Sequence, residues 1–591
     1  MIKELSELGK KIRIENVNRK LVHNALKEEP VSIDLVIKKD GTFCEFISFE
    51  KKMTTAEAIT AKKGKSRLLL DKAEEVLGYG IKLGEKKHQL FIEKLELYRD
   101  LQELKPVMAF YENNRKNGID KALNEFEKAI PEKERKGNIA FRIKGKDERI
   151  HEGKNVYQRV INNYDARQKK LLLKSQKQCS ICGSRAYSVE DIPHGMIKRV
   201  PDGQTSGCAL VSYNEDAFES YDLVGNNNSG ICTNCAKTYV EGLNWLLSNG
   251  HQVKIVDKKG KEKEGFRFTN RKNFGPDTAM VFWTRENAEV KEIDLLDAPD
   301  PQEVANLIDS VAAGDFRSTH YIKTDQFYAC TLSGAAARIA VRDWIETSLI
   351  NFQKSIAQWF RDIAIDYFDF SSKKIKTHYS RLYALAKSCQ SEKEDKEIIL
   401  SRTATYLWNA ALKNTSPPWW MLTAVLKRAC LDKYGVTPER AALIKLILNR
   451  YNKKGGDFMV QERLTQSDKP VAYVCGQIFS VLESVQQAAL GKDVNAGIRE
   501  RYFTFALTTP SAAFGRLFNL NSKHFTKLKG EKPGLAVVLD KKLQKLCEGI
   551  EIKNFPVTFT LEEQGQFAVG YYHQKQAQFN RTELRETVEE E

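Results

Sequence analysis

The sequence predicts an α+β N-terminal region with an inserted segment held together by cysteines, followed by an all-α C-terminal region that forms a helical bundle. Three observations lead to this prediction: strand-like alternation near the start, helix-like periodicity from about residue 335, and two C-x-x-C pairs between them. We place the α+β region at residues 1–335, with the insertion at about 175–240. A helical region is expected at 336–458 and the helical bundle at 459–591.

Strand signals define the N-terminal region. Apolar residues alternate with polar ones from Val31 to Ile37, and Lys39-Asp40-Gly41 is typical of a hairpin turn. The segment "NIAFRIKG" at 138–145 predicts a further strand. Residues 85–130 combine helical periodicity with many charges, which predicts an exposed helical excursion.

Helical patterns dominate the later sequence. The stretch "AAARIAVRDWIETSLINFQKSIAQWFRDIAID", which begins at residue 335, predicts one long helix. Pro417-Pro418 and the stretch 453–457 are expected to separate helices. Thr560 and Glu563 have the spacing of a capping box, which predicts that the last helix begins there.

The net charge of +16 is unevenly distributed. Lys and Arg outnumber Asp and Glu by 13 in residues 1–200 and by 14 in 351–550, whereas the acidic residues are in excess by 7 in 201–350 and by 4 in 551–591. Two basic blocks around an acidic one favour two contacts with a polyanion such as nucleic acid. The alternative is a lysine-rich surface that only confers solubility.

Cysteine usage and hydropathy indicate a cytoplasmic protein. The count of eleven cysteines is odd, and seven are scattered singly, which is typical of reduced thiols. The first twenty residues contain no apolar signal segment, and no apolar run approaches the ~20 residues of a membrane span. We therefore expect no membrane association.

The cysteine pairs predict a structural zinc site. Cys179 and Cys182 lie in "CSICG", and Cys232 and Cys235 lie in "CTNCA". Each pair places two thiolates on one side of a tight turn, and two such pairs complete a tetrahedral Zn²⁺ site. Gly183 supplies the conformational freedom that the turn needs. The metal would staple the two ends of the inserted segment, and reduced thiols without metal are the alternative.

A zinc-framed HNH-like DNA endonuclease is the alternative function. "DIPHG" offers His194 as a general base, and "NNNSGICTNCAK" faintly resembles the asparagine-containing end of that motif. The catalytic reading is weakened by Pro193, which stands where such enzymes have an acidic or histidine partner. A closed four-cysteine site also leaves no open coordination position for catalysis. The sequence therefore favours a structural role and no enzymatic activity.

Several stretches together resemble one family, the large subunit of the type I-C CRISPR surveillance complex (Cascade). They include "SRLLLDKAEEVLG", "FRIKGKDERIHE", "GQTSGCALVSYNEDAFESY" and "FYACTLSGAAARIAVRDW", and towards the end "VAYVCGQIFSVLESVQQAA", "IRERYFTFALTTPSAAFGRLFNL" and "LEEQGQFAVGYYHQKQAQF". The order of these stretches is preserved along nearly the whole chain. The cysteine quartet departs from the family pattern, so the metal prediction depends on its chemistry alone.

The resemblance implies a non-catalytic role in antiviral defence. Such subunits read a short PAM motif on duplex DNA, help to open the duplex, stabilise the R-loop and present the target to a separate helicase–nuclease. The implied partners are CRISPR RNA, target double-stranded DNA and the backbone, guide-end and small subunits of the complex. Base pairing with the guide supplies the remaining sequence specificity.

Two loops are candidates for PAM and DNA recognition. Arg67 has the fork needed to contact a base edge, the neighbouring lysines suit phosphates, and an amide in "PDGQTSG" is the second candidate reader. The predicted residues are Lys62, Lys63, Lys65, Ser66, Arg67, Asp71, Lys72, Gln204 and Ser206. A solvated loop is the alternative in both cases.

Cations in the last helical region predict a track for RNA or single-stranded DNA. These are Arg499, Arg501, Arg516, Lys523 and Lys527. The alternative is that they only solvate helix surfaces.

Met459 is a candidate internal translation start. In the family that the sequence resembles, the small subunit is thought to arise in this way. Lys454-Gly455-Gly456 can be encoded by a ribosome-binding sequence at a workable distance from the Met459 codon. The product would comprise the 133 residues from Met459 to Glu591. The alternative is a polar loop that ends a helix.

Overall fold

The computed structural model describes most of the chain, and the architecture below refers to that part. The described residues are 1–15, 23–59, 65–81, 86–174, 177–185, 194–256, 262–286, 290–313, 325–391, 397–452, 458–465, 469–491, 496–548, 550 and 555–579. They form two compact units. The N-terminal unit comprises Met1–Ile197 and Ala209–Trp245, and the C-terminal unit comprises Lys198–Cys208 and Leu246–Glu591.

The N-terminal unit mixes a four-stranded sheet with helices. Its strands are β1 (Leu26–Ile37), β2 (Phe43–Glu57), β3 (Leu70–Lys72) and β4 (Asn138–Ile143), in the order β2-β1-β4-β3. Its helices are α1 (Ile2–Glu15), α2 (Ala73–Val76), α3 (Lys87–Glu96), α4 (Lys105–Tyr111), α5 (Ile119–Ala129), α6 (Lys154–Lys174) and α7 (Thr233–Ser248).

The predicted hairpin and the later strand are confirmed. β1 pairs antiparallel with β2 around Gly41, whose φ of +82° fits the turn, and β4 pairs parallel with β1. The segment 85–130 is helical, but the prediction that it is exposed is wrong for its apolar face. Phe91, Phe110 and Phe126 are fully buried against the sheet, because one side of each amphipathic helix is apolar.

The C-terminal unit begins with antiparallel strands. A sheet of order β10-β9-β8-β7 contains β7 (Arg271–Asn273), β8 (Thr278–Thr284), β9 (Gln326–Ala335) and β10 (Arg338–Ser348). Two hairpins, β5 (Gly250–Val256) with β6 (Glu262–Phe268) and β11 (Ile365–Asp369) with β12 (Lys374–His378), complete the strands of the described chain.

One prediction in this unit is wrong. Residues 338–348 form β10, and the helix that follows, α10, begins only at Leu349. The β-branched residues Ile339, Val341 and Ile345 favour a strand, and β9 offers a paired edge along the whole segment. Strands therefore continue to His378, well beyond the expected boundary at 335.

From residue 397 onward, the described secondary structure is entirely helical, as predicted. The helices of this unit are α8 (Glu292–Asp297), α9 (Pro301–Ala313), α10 (Leu349–Ile363), α11 (Leu382–Lys387), α12 (Glu397–Lys413), α13 (Trp420–Leu431), α14 (Pro438–Asn452), α15 (Val471–Leu490), α16 (Ile498–Thr508), α17 (Pro510–Glu531), α18 (Pro533–Glu548) and α19 (Leu561–Ala577). Pro417-Pro418 separates α12 from α13, and Thr560 caps α19 by accepting a hydrogen bond from the Glu563 N–H, both as predicted. The break predicted at 453–457 lies outside the described residues.

Helices α15 and α19 form the centre of this bundle. A Cβ on Gly476 would lie 2.0 Å from the Phe567 carbonyl oxygen, and one on Gly570 would lie 2.1 Å from the Tyr473 carbonyl oxygen. The two backbones therefore touch, which only glycine permits. None of the described helices combines the length with the apolar character that a membrane span requires.

Candidate metal centre and nucleic-acid-binding residues

The four predicted cysteines come together in the N-terminal unit. The sulfur atoms of Cys179, Cys182, Cys232 and Cys235 all lie within 4.8 Å of one another. The Sγ atoms of Cys182 and Cys232 are 3.8 Å apart. Four ligands at the Zn–S distance of ≈ 2.3 Å in a tetrahedron would be about 3.8 Å apart. The donor set and its spacing therefore fit a structural zinc ion, and the four predicted cysteines lie close enough together to hold a metal ion.

Local backbone geometry shapes the first cysteine pair. The Gly183 N–H donates to the Cys179 carbonyl at 2.9 Å, and Gly183 has a φ of +68°, which closes the turn. Burial would raise the pKa of the Cys179 thiol, but backbone N–H groups, first that of Cys232 at 3.3 Å, lower the pKa to about 7. A lowered thiol pKa favours the thiolate, which is the form that binds metal.

The second cysteine pair is positioned by helix α7. Cys232 immediately precedes the helix and Cys235 lies in its first turn, and burial raises the pKa of both thiols. The backbones of α7 and α1 are in close contact, since a Cβ on Gly9 would lie only 2.0 Å from the Thr238 carbonyl oxygen. Arg13 adds a two-pronged ion pair to Glu241, with N–O distances of 2.5 and 2.6 Å.

His194 has a structural environment. Its Nδ1 lies 2.9 Å from the Tyr239 hydroxyl and its Nε2 lies 3.0 Å from the Ser229 hydroxyl. The ring is 8% exposed, and burial lowers its pKa to about 4. Both ring nitrogens thus lie within hydrogen-bonding distance of neutral hydroxyl groups, and Ser229 lies in the segment that leads into Cys232.

Nothing in the described residues favours the nuclease alternative. Sequence reasoning missed both hydroxyl partners, because no local pattern links them to His194.

The first candidate DNA loop is only partly described, since Lys62 and Lys63 lie outside the described residues. Arg67 forms ion pairs with Glu29 at 3.1 Å and Asp71 at 3.6 Å. Asp71 also accepts hydrogen bonds from the Ser66 hydroxyl and the Arg67 N–H. The guanidinium of Arg67 is thus held by two carboxylates, whereas Lys65 and Lys72 are exposed.

The second candidate loop belongs to the C-terminal unit. Its backbone is tied to the turn between β9 and β10: the Gly334 N–H donates to the Pro201 carbonyl at 2.8 Å, and the Gln204 N–H donates to the Ala336 carbonyl at 3.2 Å. The side chains of Gln204 and Ser206 remain exposed. A fixed backbone with exposed polar side chains is well suited to reading a base edge.

The cations of the helical track divide into two groups. Arg499 is 13% exposed and donates to the Lys433 carbonyl at 2.6 Å and to Glu500 at 2.7 Å. It therefore holds the loop between α13 and α14. The other four cations, Arg501, Arg516, Lys523 and Lys527, are exposed. The last three of these lie along one face of α17.

Met459 lies in a segment without regular secondary structure that is attached to α14. The neighbouring Val460 is bonded through both backbone groups to the Asn449 side chain, at 2.8 Å each. Lys454-Gly455-Gly456, which would encode the ribosome-binding sequence, lies outside the described residues. In the full chain, this segment is therefore part of the connection between α14 and α15.

Comparison with known proteins identifies a family. A family model described as CRISPR-associated protein (Cas_Csd1) matches residues 9–579. The match spans both units and includes the cysteine cluster and the helical bundle. The comparison with curated protein sequences gives no match.

Proposed function

The chain belongs to the CRISPR-associated Cas_Csd1 family, and from this premise we propose that it is the non-catalytic large subunit of a type I-C RNA-guided surveillance complex. In this role it reads a PAM on duplex DNA, helps to open the duplex, stabilises the R-loop and presents the target to a separate helicase–nuclease. Guide RNA and the other subunits of the complex are its partners.

The observation that carries this proposal is the fixed loop with the exposed Gln204 side chain. Base reading requires a hydrogen-bonding side chain that is held in register yet free of internal partners. Gln204 meets this requirement because its backbone is tied to the β9–β10 turn. Arg67 meets it less well, because Glu29 and Asp71 already occupy its guanidinium. We therefore assign base reading to Gln204 and a supporting role to Arg67.

The test compares duplexes that differ only in the flanking motif. The motif is first selected from duplexes with a randomised flank, using the full chain. We expect Gln204→Ala to reduce the preference for motif-containing duplex by about 1–3 kcal/mol. Gln544→Ala, which removes an exposed glutamine from α18, is the matched control and should leave the preference unchanged. Equal binding of all flanks by the unmodified chain would refute PAM reading.

We propose a structural zinc ion at the four cysteines and no hydrolytic role for His194. Zinc bound there would hold the two cysteine pairs together. Burial keeps the His194 imidazole neutral by lowering its pKa, and Tyr239 and Ser229 orient the ring. His194→Ala should leave target cleavage by the assembled system intact. Metal-dependent cleavage of DNA by the purified chain, lost in this variant, would instead support the endonuclease.

Met459 is proposed as the start of a separate small subunit. Such a product would retain α15–α19 but lack α14, whose Ile444 and Leu448 pack on Gly565 of α19. Silent recoding of the Lys454–Gly456 codons should remove a short C-terminal polypeptide from complexes made from this gene. Persistence of that polypeptide after recoding, and after Met459→Leu, would show that translation does not start there.

A further inference from the structure

A basic cleft of about 360 Å³ opens on the sheet of the N-terminal unit. Four cations from separate stretches of chain line it: Lys51 of β2, Arg67 of the loop before β3, Lys72 of β3 and Lys136 of the turn before β4. Two of them, Lys51 and Lys136, were not among the sequence candidates. No sequence signal joins them, because they are brought together only by strand pairing.

Arg67 acts as the floor of this cleft. It is 21% exposed and is paired with Glu29, which is 11% exposed and also pairs with Lys27. Asp71 provides its second carboxylate partner. The acidic groups that adjoin the cleft are thus already neutralised by cations, so they do not compete for the lysines.

The three lysines have no such partners. Lys51, Lys72 and Lys136 are exposed, and none of them forms an ion pair within the described part of the chain. Like charges that converge on one cleft repel one another, and a bound anion removes this cost. The close approach is also built into the backbone. A Cβ on Gly137 would lie 2.0 Å from the Ser32 hydroxyl, so only glycine lets the Lys136 turn lie this near to β1.

We propose that this cleft binds phosphate groups of a duplex DNA backbone, with Lys51, Lys72 and Lys136 as the contacting residues and Arg67 as a positioning residue. The inference rests on the proposed function and names a binding subsite for it. Flexible lysine side chains at an open, concave surface suit phosphates, whose recognition carries no sequence information. The subsite therefore contributes affinity and salt dependence, and leaves base discrimination to other residues.

The experiment measures binding of the full chain to motif-containing and motif-lacking duplexes over a series of salt concentrations. Each phosphate contact contributes a slope of about −0.9 to log Kobs against log salt, so Lys51→Ala and Lys136→Ala should each flatten the slope by about that amount. The double variant should flatten it by about twice as much. Both duplexes should be affected equally. The matched control is Lys121→Ala, which removes the same charge from the exposed face of α5.

The outcomes separate this inference from the proposed function. If the cleft variants match Lys121→Ala in slope and affinity while the flank preference persists, the cleft does not bind DNA and the proposed function stands. If no flank preference exists but the slope changes as expected, PAM reading fails and the phosphate subsite stands. If the slope changes with single-stranded RNA and not with duplex, the assignment to duplex DNA is overturned. Because the three lysines are exposed, melting curves of the variants should match that of the unmodified chain.

Discussion

The inserted segment at about 175–240, called the cysteine-held segment below, and the C-terminal helical bundle are stabilised in opposite ways. Around Cys179, Cys232 and Cys235 only two apolar side chains of the described residues, Ile181 and Ile231, pack against the thiols. The bundle, in contrast, shares one continuous apolar core in which α15 is buried on nearly every side. The segment therefore depends on a few point contacts, whereas the stability of the bundle is spread over many side chains.

This difference predicts where single substitutions act. In the cysteine-held segment, loss of one ligand should remove order locally. In the bundle, most single apolar substitutions should lower the free energy of unfolding without abolishing local order. The largest decreases in this free energy should come from substitutions at its few buried charges.

The largest expected effect is that of Cys232→Ser. The purified chain should contain about one zinc ion, and the variant should lose it because a four-thiolate site needs every ligand. Structural zinc contributes roughly 10–16 kcal/mol of apparent binding free energy in small domains, so the local structure should be lost with it. Hydrogen exchange should rise in peptides from 177–185 and 229–248 and stay unchanged in α15.

Cys44→Ser is the matched control, because Cys44 lies on β2, away from the cluster. It should retain both zinc and protection. Absence of zinc from the unmodified chain, measured by elemental analysis, would contradict the metal assignment.

The next effect concerns Arg450 in the bundle. Its Nε donates to Asp362 at 2.7 Å and its Nη1 donates to the Ala410 carbonyl at 2.6 Å, in a site where both charged side chains are at most 5% exposed. Arg450→Ala removes the cation that pairs with the buried Asp362 carboxylate and should cost about 3–5 kcal/mol. Denaturant unfolding, followed together with hydrogen exchange of α14, measures the loss.

Exposed Arg402 on α12 provides the control, and Arg402→Ala should stay within about 0.5 kcal/mol. The double variant Arg450→Met with Asp362→Leu should recover part of the loss, because it removes both buried charges. A full loss in the double variant would indicate that packing, not charge burial, dominates the site.

The smallest effect is a pH dependence that is confined to the cysteine-held segment. The pKa of His194 is about 4 in the folded chain and 6.5 in the unfolded chain, because burial disfavours the charged ring. Stability from this group is complete above pH 6.5 and is lost as the pH falls towards 4. Since the unfolded chain alone takes up the proton, the slope should reach about 1.4 kcal/mol per pH unit.

His194→Gln removes the titrating group and should flatten this slope in hydrogen exchange of the segment between pH 6.5 and 4. The chain with intact His194, measured with zinc present in both samples, is the reference. An identical slope in the two proteins would assign the acid sensitivity to the thiolates alone.

Sequence reasoning recovered features that are encoded locally. The β1–β2 hairpin follows from alternation and Gly41, α19 follows from its capping box, and the cysteine cluster follows from the paired spacing. It failed at β10, where a segment compatible with a helix is a strand because β9 pairs with it. Partnerships between distant residues were also not predictable, as with Tyr239 at His194 or Glu29 at Arg67. Such contacts exist only once the chain has folded.

The close packing of α15 on α19 has a consequence for how the protein is made. Helix α19, the main packing partner of α15, is synthesised only after α16, α17 and α18 have emerged from the ribosome. Until then, a helix destined for the interior exposes its apolar surface to the cell, a state in which nascent chains aggregate or bind chaperones. Gly476 and Gly570 add a demand for exact register at this late docking step. The packing of the bundle can therefore be completed only when the last helix has been synthesised, and we expect folding during translation to depend on how fast α16–α19 are added.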